Sequence, residues 1–259
     1  MKIYFSVWLK NLKEFVDPRK LLLIPLELIY YIRDLRCFKK GYSGAYPIRR
    51  LPVLFEREAG SSFDPHYVYQ AYWAADRIRR TNSSGHHVDI SSHVPFVAQL
   101  SAHFSVTQIE FRPPELELPS FNRLSGSILS LPFQDAGVRS VTCLHVIEHI
   151  GLGRYGDPID RDGCWKALRE MERIMAPGGN LFLSVPVGKP AVYFNGGYVF
   201  NVSHIGEAMK SLDLVEFSYV DDEGRFVEFG RFEDVAGMSY ALGLFHFRRA
   251  KKRTSHELY

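Results

Sequence analysis

The run Val138-Arg139-Ser140-Val141-Thr142-Cys143-Leu144-His145-Val146-Ile147-Glu148-His149, with the stretch that follows it as far as Pro186, decides the class of fold. Val138 to Leu144 is short, apolar and rich in β-branched residues, which predicts a strand. Beyond it, Trp165, Leu168, Met171, Ile174 and Met175 recur at helical spacing. Asp162 can cap that helix and Ala176-Pro177-Gly178-Gly179 stops it. Asn180 to Val185 then reads as a second strand. A strand, a crossover helix and a strand imply a parallel pair, so the chain is α/β.

Working outward, His87 to Ile90 and Val106 to Phe111 are further strand-like runs. Pro65 to Arg80 carries Tyr69, Tyr72, Trp73 and Ile78 at the spacing of an amphipathic helix, closed by Asn82 to Gly85. Downstream, a helix is expected at Ser203 to Leu212 and strands at Leu214 to Val220 and Ala241 to Arg248. The segment between those strands is polar, contains glycine and has no helical period, so they should pair antiparallel. The expectation is a mostly parallel sheet with a reversed edge.

Leu131-Pro132-Phe133-Gln134-Asp135, Ser140 to His149, Glu170 to Ile174, Pro177-Gly178-Gly179-Asn180-Leu181 and Ser184-Val185-Pro186 together resemble class I S-adenosylmethionine-dependent methyltransferases, nearest the small-molecule type 11 group. More narrowly, Phe63-Asp64-Pro65-His66-Tyr67 with Tyr72-Trp73, and Glu148 to Asp157, resemble the bacterial domain-of-unknown-function family 268. The resemblance covers roughly residues 60 to 225. It implies a Rossmann-like methyltransferase fold with a seven-stranded, mostly parallel sheet and an antiparallel edge strand. Residues 61–259 would form that domain and residues 1–60 a helical N-terminal extension with a linker, and S-adenosyl-L-methionine would be the cofactor.

In that family the first strand ends with an acid and a glycine-rich turn. Here Val88-Asp89-Ile90-Ser91-Ser92-His93 keeps the acid and small serines but has no glycine, and serine does not reach positive φ cheaply. The second strand should end in a carboxylate for the ribose hydroxyls, and Glu110 lies 21 residues after Asp89. Ser125-Gly126-Ser127-Ile128 resembles the loop that meets the adenine, and reads equally as an ordinary exposed loop. Asp89, Ser91, Glu110, Ser127, Ile128 and Leu144 are therefore the expected cofactor contacts.

The strand ending at Cys143-Leu144-His145 places His145 at the crevice beyond the carboxyl ends of the strands, where open α/β sheets bind ligands. His145 is the catalytic candidate, either as a base toward an acceptor hydroxyl or amine or as a group that only positions cofactor or helix. Glu148 and His149 follow on the next turn. The glycine-rich segment Gly151 to Asp160, with Arg154 and Tyr155, reads as a lid, and Asn195 lies on a later loop that can supply the substrate face. His145-Val146-Ile147-Glu148-His149 also spells H-x-x-E-H, a zinc pattern that needs both histidines on one helical face. The strand-like run before it points away from zinc, and no metal is expected.

Composition narrows the partners. The chain of 259 residues is 46% hydrophobic, which excludes disorder throughout, and 32 basic against 29 acidic residues give a net charge of +3, too even for a dedicated nucleic-acid binder. Cys37, Cys143 and Cys164 fit neither a disulfide framework nor a four-thiolate zinc site, so a reducing cytoplasm is expected. Leu21 to Ile32 is apolar but only 12 residues long and contains Pro25 and Glu27, too short to span a bilayer. Residues 1–40, with Trp8, Phe15 and flanking lysines and arginines, can pack on the main domain or lie on the anionic inner membrane face. The expected activity is methyl transfer to a small molecule or sugar, by analogy in surface-polysaccharide biosynthesis; the alternative is a catalytically silent module of the same fold.

Overall fold

The computed structural model describes residues 18–44, 46–48, 50, 52, 54–55 and 63–251. The chain divides into two compact units, Met1–Ser62 and Phe63–Tyr259. In the first, helix α1 (Pro18–Gly41) carries the apolar run with Pro25 inside it, and Leu22 and Ile29 are exposed. Among the described residues no helix is long and apolar enough to cross a membrane. Trp8 and Phe15 lie outside the described residues.

The second unit opens with α2 (Pro65–Thr81). Pro65 suits the first helical turn, where no N–H partner is needed, and the Asp64 side chain accepts from the backbone N–H groups of His66 and Tyr67. The face carrying Trp73, Ala74, Arg77 and Ile78 is buried. Arg77 makes two hydrogen bonds to Glu216, at 3.1 and 2.8 Å, and the Trp73 indole donates to the same carboxylate at 3.0 Å. This buried network ties α2 to the sheet.

The strands are β1 (His86–Ile90), β2 (Ser105–Glu110), β3 (Phe121–Ser125), β4 (Val138–Leu144), β5 (Met175–Val187), β6 (Ala191–Tyr193), β7 (Gly197–Val199), β8 (Asp213–Val220), β9 (Phe226–Val227) and β10 (Ala241–Arg248). One sheet holds eight of them in the order β3-β2-β1-β4-β5-β10-β8-β9, and β6 and β7 form a separate hairpin. The first five are parallel, with registers such as Val88 opposite Val141 and Cys143 opposite Leu183. β10 inserts antiparallel between β5 and β8, with Leu244 opposite both Ser184 and Ser218, and the two-residue β9 forms the antiparallel edge. The mostly parallel sheet with its antiparallel edge is present, with eight strands among the described residues rather than seven because β9 adds to it. The expected pairing of β8 with β10 is also present.

Alternate residues of the central strands feed two cores, as a sheet covered on both faces requires. Leu181 and Leu183 pack with Val141, Leu168, Met171 and Phe245 on one face, and Phe182 packs with Trp73, Phe96, Leu144 and Leu244 on the other. The remaining helices are α3 (Val94–Leu100), α4 (Gly163–Ile174), α5 (Val202–Ala208) and α6 (Phe232–Val235). Helix α4 begins after Asp162 as expected, but its cap is the backbone carbonyl, which accepts from Lys166, with no side-chain bond. β3 was not legible as a strand because four of its five residues are exposed. The strand order reverses between β1 and β4, so the carboxyl ends of β1, β2 and β4 open onto one crevice.

Candidate functional site

After β1 the chain turns sharply through Ser91, whose φ is 56°. The serine occupies the left-handed region that glycine usually fills, held by two bonds to the Ile109 carbonyl, from its backbone N–H at 3.0 Å and its hydroxyl at 3.1 Å. The conformational cost expected of serine at positive φ is offset here by the β2 backbone. Asp89 is fully buried, and its oxygens accept from Ser92 N–H, the Gln108 amide and the Thr142 hydroxyl. It fastens the turn from inside, contrary to its expected place as a cofactor contact. Burial pushes its carboxyl up to about 6 against the pull of those hydrogen bonds.

Glu110 ends β2 at the crevice, partly exposed, and accepts from Phe111 N–H at 2.9 Å. Gly126 follows β3 and donates to the Glu110 carbonyl, with Ser127 partly exposed beside it. The side chains of Ile128 and Leu144 are buried in opposite cores, so neither offers a side-chain polar contact.

At the end of β4 the chain turns again through a non-glycine residue at positive φ, His145 at 59°, and enters a 3-10 turn, Ile147–His149. The turn brings the Glu148 carboxylate onto His145 Nδ1, while His145 Nε2 lies 3.3 Å from His66 Nδ1 at the start of α2. Both nitrogens of the His145 ring are therefore engaged, and its side chain is 7% exposed. Tyr67 stacks on the His145 ring at 5.4 Å, and Tyr240, which opens onto β10, stacks on His66 at 5.5 Å. Burial disfavours a charged His145, but the Glu148 carboxylate outweighs it and holds the ring above its ordinary value. Burial and then the neighbouring His145 hold His66 down at about 4.

His149 Nε2 lies 3.7 Å from the same Glu148 oxygen, and His145, Glu148 and His149 offer three ligand-type atoms within 4.8 Å of one another. A strand end and a 3-10 turn thus gather the H-x-x-E-H side chains, which the sequence argument had required a helix to do. Burial, with Arg154 contributing, lowers His149 from its ordinary value despite the nearby carboxylate. Arg154 places one guanidinium nitrogen 3.2 Å from His149 Nδ1 and donates it to the Gly196 carbonyl at 2.7 Å. Tyr155 lies edge-on to His149, and Arg112, just past β2, donates to the Tyr155 carbonyl. The Gly151–Asp160 segment therefore joins the ends of β2 and β4 to the β6–β7 hairpin. Asn195 is exposed at the tip of that hairpin.

His66, Tyr67 and Tyr240 were not legible as site residues. Asp64-Pro65 marks the helix start, but no spacing reports that this start docks against the end of β4.

Residues 137–229 match a family model described as a Caenorhabditis protein of unknown function, DUF268, where the resemblance read from the sequence was to a bacterial group. The match begins just before β4 and contains every site residue from His145 to Asn195. The curated proteins contain no match. Among solved structures, the [4+2]-cyclase SpnF aligns over 70% of this chain and 81% of its own, at 13% identity and a TM-score of 0.51. A putative sarcosine dimethylglycine methyltransferase from Galdieria sulphuraria aligns over 71% and 87%, at 12% identity and 0.51. The YcgJ protein from Bacillus subtilis aligns over 70% and 100%, at 11% and 0.50. At these identities the likeness concerns the fold, which is the Rossmann-like methyltransferase fold. A cyclase on the same fold shows that the chemistry must be argued from the site.

Proposed function

We propose that this protein is an S-adenosylmethionine-dependent methyltransferase acting on a small molecule or sugar. The observation that carries the reading is the convergence, on the crevice where the strand order reverses, of the Ser91 turn, the Glu110 carboxylate and the His145–Glu148 pair. The residues present suit the cofactor. Ser91 bends the chain as glycine would, and Glu110 offers a partly exposed carboxylate at the position of a ribose acceptor. The positive φ of Ser91 supports this reading over a silent module of the same fold.

When bound, the cofactor supplies an electrophilic methyl group. The protein binds and orients: Glu110 accepts from the ribose hydroxyls, Tyr67 and Tyr240 present aromatic surface to the acceptor, and the crevice histidines receive the proton that the acceptor's hydroxyl or amine gives up. Arg154 and Tyr155, anchored on His149, limit access of water.

Calorimetric titration with S-adenosylhomocysteine tests the reading. Wild type should bind, and Glu110→Ala should weaken binding more than tenfold, since losing a hydrogen bond to a charged acceptor costs about 1.5–3 kcal/mol. No binding at millimolar ligand would refute it.

A further inference from the structure

Within that reading the identity of the proton acceptor is open. His145, the residue the sequence singles out, has both ring nitrogens engaged and is nearly enclosed, whereas His66 is partly exposed. We propose that His66, acting at Nε2, takes the acceptor's proton, and that His145 and Glu148 are positioning residues in a relay behind it.

The tautomers follow from the bonds. The Glu148 carboxylate can only accept, so His145 Nδ1 carries a hydrogen toward it. In the neutral ring His145 Nε2 is then a lone pair, which accepts from His66 Nδ1–H at 3.3 Å. That leaves His66 Nε2 bare, on a ring held flat by Tyr240. As the acceptor's oxygen or nitrogen bonds to the methyl carbon, the carbon–sulfur bond breaks with its electron pair on sulfur. The acceptor's proton goes to His66 Nε2, and the His66 Nδ1 proton moves to His145 Nε2. The positive charge ends on His145, beside the buried carboxylate, and the proton returns to solvent by the reverse path. The opposite displacements of the two rings, His66 down and His145 up, agree with a proton that enters at one and rests at the other.

Other groups act on this pair: Asp64 from the start of α2, Asp222 from the segment after β8, Tyr67 and Tyr240 by stacking, and His149 with Arg154 from the far side of Glu148. Among these, Glu148 is the carboxylate bonded to the relay, so the test falls on it.

Ring-nitrogen magnetic resonance of histidine-labelled protein, without ligand, reads the tautomers directly. The expected result above the pair's ionisation is hydrogen on Nδ1 of both rings, with His66 Nε2 bare. On acidification the first proton taken up should settle on His145, moving the nitrogen signals of both rings together at a midpoint above the ordinary histidine value, while His66 takes a proton of its own only near 4; Glu148→Gln should lower the first midpoint by one unit or more. Diethyl pyrocarbonate, which attacks bare imidazole nitrogen, should label His66 faster than His145 when the pH lies above the pair's ionisation. Hydrogen on His66 Nε2 at high pH, a His66 ring that does not respond when His145 takes its proton, or faster labelling of His145 would each overturn the relay. The wild-type tautomer decides even if the variant does not fold. Because these readouts need no cofactor, failure to bind S-adenosylhomocysteine would refute the methyltransferase reading alone.

Discussion

Asp89→Asn tests whether the first turn is fastened from within. Asp89 is fully buried and its carboxyl is raised from 3.8 to about 6, chiefly by burial. A carboxyl raised on folding binds its proton more tightly in the folded state, so the wild type loses stability as pH rises from about 4 to above 6. The span between the two values corresponds to about 3 kcal/mol at 1.36 kcal/mol per unit. Asparagine carries no charge and keeps much of the bonding. Its carbonyl accepts from Ser92 N–H and the Gln108 amide, while its amide donates to the Thr142 hydroxyl, which can turn toward the His87 ring 2.9 Å away. Urea unfolding of both proteins between pH 4 and 7.5 gives the difference in stability, in which the other titrating groups cancel. That difference should move in favour of Asp89→Asn by about 2.5 kcal/mol across the range, since part of the full span lies below pH 4. A flat difference, or one moving the other way, would refute the assignment of Asp89 to the interior and return it to the crevice.

Two further outcomes follow from packing. Glu216→Ala leaves the buried Arg77 with Asp76 and Glu228, so the loss should sit at the low end for a broken buried pair, about 3 kcal/mol; calorimetry should show a melting point lower by about 6–12 °C, and a fall of under 2 °C would show the network to be dispensable. Gly151 has φ 81° and an added Cβ would meet the Asp160 carbonyl, so Gly151→Ala should cost about 1–3 kcal/mol and open the Gly151–Asp160 segment to limited proteolysis; unchanged cleavage would show that the segment does not depend on this turn.

The parts of the candidate site that were legible as positions in the fold are residues at strand ends. Glu110 and His145 follow apolar runs that end abruptly, and the exit of a strand is where polar side chains meet ligands. How Ser91 meets the cost of positive φ was not legible, because a conformational preference is a local average while two hydrogen bonds to Ile109 set the local energy. Asp89 was misread because strand periodicity does not report which way a strand's last turn folds back. The H-x-x-E-H gathering escaped for a related reason, since a 3-10 turn after a strand can do at Ile147–His149 what was sought on a helix.

The sequence by itself determined the α/β class, the parallel centre, the antiparallel pairing of β8 with β10 and the crevice, because period-2 and period-3.6 apolar patterns and glycine-proline stops are written in neighbouring residues. Tertiary structure alone decided the meeting of His66 with His145, separated by 79 positions, and of Tyr240 with His66. Those contacts depend on where α2 docks across the sheet, and that docking is set by Trp73 and Arg77 reaching Glu216 on β8, about 140 positions away. Long-range packing of this kind leaves no periodic trace, since each partner follows its own local rule and only the folded sheet brings them together.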